Sequence, residues 1–313
     1  PQRKASMLAS VTARALVPFL LTAVLLQAGP LTAQQRLDAS GNASRALPGK
    51  VIDVAAGEFY FQAPDTIQAG LTTFQLRQMG LIRRRVMTGG VARDSGAAEH
   101  GDPTRGFHML WIVRLDSGRT AADFHRAVQA REPHKWARNL GGPGFALPPR
   151  TTNATLVLKP GNYVLTCFVG AAREDRSRYH LLNGMFKALT VVPARSAPAA
   201  TPKPDIVMRL TGDGALELSQ QVTAGRRLIR VENGSAKAYE FQIRRVLPGR
   251  TTAEALAWQP RDNPTMTRPF DPWGGLSDVP AGESMLTTVT FEPGDYVVGS
   301  SMRAAFTVLP VRR

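Results

Sequence analysis

The chain repeats one order of segments, and this repeat constrains its fold more than any other feature of its 313 residues. In the first half, IQAGLTTFQLRQ is followed by HMLWIVRLDSGRTAADF, then by ATLVLKPGNYVLTC and FKALTVVP. In the second half, VTAGRRLIRVEN is followed by YEFQIRRVLPGRTTAEAL, then by ESMLTTVTFEPGDYVVGS and RAAFTVLP. The same residue types recur in the same order, so we expect two copies of one architecture.

Each copy has the sequence pattern of an antiparallel sandwich. Short runs rich in Val, Leu, Thr and aromatic residues are separated by PG, GG and DSG turn signals, which is typical of β-strands in a sandwich. Thr120 with Asp123, and Thr251 with Glu254, fit the capping box that satisfies the first free amides of a helix. The predicted fold class is therefore all-β, with two tandem Greek-key β-sandwiches that carry one short helix each.

The N-terminus has the marks of a secretory signal. Arg3, Lys4 and Arg14 accompany a short apolar run, and a small-residue exit follows with Ala33 at the expected cut. No later segment reaches the length of apolar chain that a membrane span needs, so we expect a periplasmic or secreted protein without a transmembrane segment in its mature chain. The predicted organisation is a signal peptide at 1–33, a flexible tail at 34–48, domain 1 at 49–194, a Pro/Ala linker at 195–204 and domain 2 at 205–313.

Alternation along the strands predicts which side chains face inward. Tyr239, Phe241 and Ile243 should form the buried face of their strand, because they alternate with polar residues. The polar residues Glu240, Gln242 and Arg244 should form its outward face. Aligning the two GRT triplets places His108 on Tyr239, which points the histidine inward. Cys167 likewise falls on Ser300, at the end of the inner face of its own strand.

The single cysteine raises a chemical question. One cysteine cannot form an internal disulfide, and in an exported protein a free thiol is oxidised unless it is buried or bound to a metal. Cys167 could be a small buried hydrophobic residue. It could also be a metal ligand, because His108, His180 and Met185 supply the other donor types of a type 1 copper site, two imidazoles and a thioether.

These segments resemble the cupredoxin family. The order PGNYVLTC, then HLLNGM, then FKALTVV is similar to that family's last strands and ligand loop, with one histidine upstream. The resemblance implies metal ligation by His108, Cys167, His180 and Met185, one copper per chain, and a role in electron transfer or copper handling. It implies no ligand set in the second copy, where Tyr239 and Ser300 replace the histidine and the cysteine. The alternative is a metal-free binding or scaffolding module of the cell envelope.

Charge and missing motifs narrow the function classes. The formal net charge is +15 at pH 7, which suits an acidic redox protein or an anionic envelope surface as a partner. The arginines are scattered and aromatic residues are few, so we expect no nucleic acid partner. Nucleophile elbows, zinc-protease motifs and phosphate loops are missing from the sequence. We therefore expect that the protein is not an enzyme.

Overall fold

Three main β-sheets form from the residues that the computed structural model describes, which are 46–79, 85–88, 91–94, 107–170, 179–197, 199–258, 268–299 and 303–311. The predicted signal peptide and residues 34–45 of the predicted tail lie outside these ranges. Among the described residues, no helix is long and apolar enough to cross a membrane.

The first half contains eleven strands and one α-helix within its described residues. In chain order they are β1 Lys50–Gly57, β2 Tyr60–Gln62, β3 Thr66–Gln68, β4 Gly70–Gln78, β5 Arg85–Thr88, β6 Val91–Asp94, β7 Trp111–Leu115, α1 Ala121–Ala130, β8 Ala137–Asn139, β9 Thr151–Leu158, β10 Gly161–Thr166 and β11 Phe186–Val192. β5 and β6 pair only with each other, as a two-stranded sheet.

The second half repeats the plan with fewer strands in its described part. Its elements are β12 Ile206–Leu210, β13 Leu216–Leu218, β14 Gly225–Asn233, β15 Tyr239–Val246, α2 Thr252–Ala257, β16 Phe270–Val279, β17 Ser284–Phe291, β18 Gly294–Gly299 and β19 Ala304–Val308. Both predicted capping boxes are present, at Thr120 with Asp123 and at Thr251 with Glu254.

The three main sheets enclose two apolar cores. An eight-stranded sheet runs β13-β12-β14-β17-β9-β4-β1-β2, a five-stranded sheet runs β3-β11-β10-β7-β8, and a four-stranded sheet runs β16-β15-β18-β19. One apolar core lies between the first-half strands of the large sheet and the five-stranded sheet. A second core joins the second-half strands of the large sheet to the four-stranded sheet. The chain is thus mostly β, and its eight-stranded sheet packs against the five-stranded sheet in the first half and against the four-stranded sheet in the second half.

Strand register confirms the alignment of the two halves. Arg114 of β7 lies opposite Tyr163 of β10, and Arg245 of β15 lies opposite Tyr296 of β18. Each tyrosine hydroxyl donates to the carbonyl four residues earlier in the chain, Lys159 in one half and Glu292 in the other. With these positions equivalent, His108 corresponds to Tyr239, as the repeated GRT triplet predicts.

The two halves are joined through the large sheet and also through the segment before β9. β9 meets β17 at a single residue pair, Thr155 with Leu286, and Asn153 then bridges the two strands with its side chain. Its Nδ2 donates to the Thr288 carbonyl at 2.7 Å, and its Oδ1 accepts from the Thr288 amide at 2.8 Å. Pro143 and Ala146 pair with β16 through isolated bridges. The division into domains at 195–204 stays a prediction, since residues 37–313 group as one compact unit.

One expectation about side-chain direction is wrong. The alternation in β15 places Gln242 on an outward, polar face, yet Gln242 is buried. Its Nε2 donates to the Leu276 carbonyl at 2.8 Å, and its Oε1 accepts from the Phe145 amide at 3.0 Å. The outer face of β15 is covered because the first half packs against it, and a pattern read from one strand cannot reveal that cover.

We predict that Asn153→Ala lowers the free energy of unfolding by about 2–4 kcal/mol, because the Thr288 amide and carbonyl lose their partners at the junction. Urea unfolding of the purified protein measures this change. Asn162→Ala is the matched control, since the Asn162 side chain is exposed and makes one bond of 3.2 Å to the Arg119 carbonyl. The control should cost less than about 1 kcal/mol. Equal losses in the two variants would contradict the bridging role of Asn153.

Candidate metal centre

His108 lies just before β7, in a segment that hydrogen bonds hold from both sides. The Gln78 side chain donates to the His108 carbonyl at 2.7 Å. Two residues later, the Leu110 amide donates to the Pro143 carbonyl at 3.1 Å. These bonds fix the backbone around His108. The imidazole itself is buried, so its ring faces the interior, as the alternation predicts.

Cys167 directly follows β10 and forms the base of the loop that leads to His180. Twelve residues separate the two donors in the sequence. Backbone hydrogen bonds nevertheless join the two ends of this loop, residues 167–169 and 180–185, and we call these paired ends the neck of the loop. The Leu181 amide donates to the Cys167 carbonyl at 2.9 Å, and the His180 amide donates to the Val169 carbonyl at 2.9 Å. The length of the loop therefore does not set the distance between the donors. Residues 171–178 of the loop lie outside the described residues.

His180 begins a short 3-10 helix, His180–Asn183, and its side chain is fully buried. Gly184 caps the C-terminal end of this helix, and its left-handed φ of 101° accommodates the sharp turn toward β11. Phe59 packs edge-on against the imidazole, with ring centroids 5.1 Å apart. Phe59 is itself in a left-handed conformation, with φ 61°, which is uncommon for a bulky residue.

Three donor atoms converge at this point. His108 Nδ1 lies 3.0 Å from His180 Nδ1, and Cys167 Sγ lies 3.7 Å from the same nitrogen. The ligand atoms of all three residues lie within 4.8 Å of one another, and all three side chains are buried. Within the described part of the chain, this is the one such cluster of three or more metal-ligating side chains.

Burial sets the protonation of two donors. Burial, together with the smaller effect of the neighbouring His180, lowers the pKa of His108 from 6.5 to about 3. Burial also raises the pKa of the Cys167 thiol to about 12, an effect that the backbone amides of Met109 and Val169 partly oppose. Without a metal ion, the cluster thus holds a neutral imidazole at His108 and a protonated thiol at Cys167. Binding of a cation would have to displace the thiol proton.

The donor set fits a single three-coordinate metal ion. Bond lengths of about 2.0 Å to nitrogen and about 2.3 Å to sulfur place trigonal donors about 3.5 Å apart for two nitrogens and about 3.7 Å apart for nitrogen and sulfur. The observed separations are 3.0 Å and 3.7 Å. Small ring movements would therefore suffice to admit an ion.

The backbone of Met185, the fourth predicted ligand, is hydrogen-bonded to the backbones of Cys167 and His180. Its carbonyl accepts from the Cys167 amide at 3.2 Å, and its amide donates to the His180 carbonyl at 2.9 Å. The side chain is fully buried in the same apolar core as Cys167. Its role as an axial ligand stays a prediction, as does its alternative role in packing. In the second half, Tyr239 is partly buried and Ser300 lies outside the described residues.

Several residues that shape the cluster were not expected from the sequence. Phe59 covers His180, Gln78 holds the backbone of His108, and Gln242 from the second half donates to Met109 Sδ at 3.1 Å. Ser277, also from the second half, donates its hydroxyl to the Leu110 carbonyl at 2.8 Å. A buried Gln at the end of β4 is the kind of signal that could have drawn attention to Gln78, whereas the cross-half contacts have no local signature.

Among known proteins, the chain is similar only to solved structures, and the TM-scores of these matches are low. No protein-family profile matches the chain, and no curated protein matches it. The solved structure of auracyanin B is 17% identical, covering 48% of this chain and 93% of that chain at a TM-score of 0.25. Dithionite-reduced auracyanin from Roseiflexus castenholzii is 18% identical, covering 46% and 98% at a TM-score of 0.22. The Cu-containing nitrite reductase from Thermus scotoductus is 11% identical, covering 83% and 61% at a TM-score of 0.21.

These matches correct one expectation. We expected that the protein is not an enzyme, but the similar structures include an enzyme, the nitrite reductase, beside the auracyanins. The exclusion of catalysis is therefore withdrawn. Membership in the cupredoxin family stays a prediction.

We predict that the metal-free protein loses stability as the pH falls below about 6.5. The unfolded His108 binds a proton below that pH, whereas the folded residue, with a pKa of about 3, does not. The loss from this residue grows down to about pH 3 and amounts to about 2 kcal/mol between pH 7 and pH 5. Urea unfolding at the two pH values, in wild type and in His108→Gln, isolates this contribution. An identical pH dependence in the two proteins would show that His108 is not held neutral by the fold.

Proposed function

We propose that the chain binds one copper ion in its first half and uses it for electron transfer or copper handling. The observation that carries this proposal is the convergence of His108 Nδ1, His180 Nδ1 and Cys167 Sγ in a buried cluster. Two imidazoles and one thiolate suit a trigonal copper site, and a nearby thioether supplies a weak axial donor. Met185 is the thioether that we assign to this fourth position.

The bound ion would supply a one-electron couple, and the protein would supply the surroundings. A buried, hydrogen-bonded donor set changes little when the charge of the ion changes, which keeps the cost of reorganisation low. The neck of the loop, residues 167–169 and 180–185, holds the donors of Cys167 and His180 close together through backbone hydrogen bonds. His108 is held separately through its carbonyl by Gln78. Phe59 packs over the edge of His180 and limits the access of water to that ring.

Location and partners are part of the same proposal. We propose a location in the periplasm or outside the cell, which the N-terminal signal pattern supports. The net charge of +15 favours an acidic redox protein or an anionic envelope surface as the partner. We propose no contact with nucleic acid, since the sequence lacks a basic stripe with stacking aromatic residues.

We predict that adding Cu(II) to the reduced, metal-free protein produces an intense visible thiolate-to-copper absorption band at one copper per chain. The melting temperature should rise at the same time, because an ion that binds only the native state stabilises it by about 2.7 kcal/mol at a hundredfold excess over Kd. Cys167→Ser should remove the band, and His180→Gln should weaken copper binding by at least about tenfold.

His134→Gln is the matched control for this titration. His134 lies in the first half, partly buried, with its ring 5.3 Å from that of Phe124 and outside the cluster. The control should keep the band and the affinity of the wild type. A folded wild-type protein with a free thiol, no band and no change in melting temperature would rule out the copper proposal and favour a metal-free scaffold. A rise in melting temperature with Zn(II) alone would indicate a zinc site on the same donors.

A further inference from the structure

A cavity lies at the junction of the two halves. β9 and β17 pair at Thr155 and Leu286. From there toward Thr151 a gap lies between the described parts of the two strands, and hydrogen bonds from the Asn153 side chain to the Thr288 backbone bridge it. The cavity, of about 490 Å³, occupies this gap, with both strands in its walls. Trp273 and Gly274 of β16 also line it. The volume falls within the range of small-molecule sites in proteins.

Two arginines, Arg150 and Arg226, line the cavity. The Arg150 guanidinium stacks on the Trp273 ring at 3.8 Å from its centroid. Arg226 of β14 is partly buried, and its Nε is a buried atom without a hydrogen-bond partner among the described residues. In the part of the chain that the structure describes, neither arginine lies within ion-pair distance of a carboxylate.

The acidic residue of the cavity wall does not neutralise this charge. Glu292 pairs with Arg245, whose Nη1 lies 2.6 Å from the carboxylate. Arg245 also approaches the Trp273 ring, at 5.2 Å from its centroid. Among the described residues, the wall therefore holds two cationic side chains, Arg150 and Arg226, with no carboxylate paired to either. Arg226 is partly buried, so an anionic ligand at its guanidinium would offset the desolvation of this cation.

Neutral groups beside Arg226 complete a polar wall. Arg226 lies directly opposite Thr290 in the β14–β17 ladder, so the two side chains are on the same face of the sheet. Thr288 lies two residues along β17 on that same face. Both threonines line the cavity. An arginine fork with hydroxyl groups at its side matches the oxygen atoms of a carboxylate or a phosphate.

We propose that this cavity binds a small organic anion through a carboxylate or phosphate group held by Arg226 and Arg150. The site is separate from the His108, Cys167 and His180 cluster, and it does not depend on copper. It is built from both halves of the chain, which gives the shared sheet a binding role in addition to its structural one. The polar threonine wall favours a hydroxylated anion over an apolar one.

Thermal unfolding with inorganic phosphate and with citrate tests the site, with chloride at matched ionic strength as the reference. We expect at least one of the two anions to raise the melting temperature saturably, by about 2–4 °C beyond chloride. Response to phosphate alone would identify a phosphate ligand, and response to citrate alone a carboxylate ligand. Arg226→Gln should weaken the apparent affinity by at least about tenfold.

Arg230→Gln is the matched control on the same strand, since Arg230 pairs with Glu232 at 2.8 Å and is not in the cavity wall. The control should keep the full response, and so should Cys167→Ser, which separates this site from the copper proposal. Arg226→Gln should remain folded, because it removes a cation with no carboxylate paired to it among the described residues. If neither anion raises the melting temperature beyond chloride, or if Arg226→Gln keeps the wild-type response, the proposal is wrong.

Discussion

The hydrogen-bonded neck between Cys167 and the segment 180–185 is the constraint on which the candidate centre depends. Three backbone bonds, from Leu181 to Cys167, from His180 to Val169 and from Cys167 to Met185, fix the thiol and one imidazole on a single rigid unit. Because these bonds join the two ends of the loop, the twelve residues between Cys167 and His180 have little effect on the distance between the two donors. The described residues of the cluster are thus held in place by backbone bonds that do not involve residues 171–178.

The second half supports this centre from a distance. It lacks the donor set, yet Gln242 reaches Met109 and Ser277 reaches Leu110, the two residues that follow His108. Trp111, next in the chain, donates to Asp278 at 2.8 Å. The second half therefore braces the segment that carries His108. Duplication in this chain gives a supporting partner that packs against the first copy through a shared sheet and a common polar seam.

Much of this arrangement could be predicted from the sequence, for reasons that are local. Alternation placed His108 and Cys167 inward, the capping boxes marked both helices, and the repeated GRT triplet aligned His108 with Tyr239. Gln242 was misjudged because the cover on its strand comes from residues far away in the chain. The joined sheet and the cavity beside Arg226 escaped prediction for the same reason, since pairing between β9 and β17 leaves no mark in either strand alone.

X-ray absorption spectroscopy at the copper edge tests the central claim most directly, because it identifies the atoms bound to the ion. For the copper-loaded protein, the account predicts one sulfur at about 2.3 Å or less and two imidazole nitrogens at about 2.0 Å, taking zinc sites as the guide to bond lengths. Cys167→Ser should lose the sulfur and keep the nitrogens. A spectrum with only nitrogen and oxygen neighbours in the wild-type protein would contradict convergence of His108, Cys167 and His180 on one metal ion.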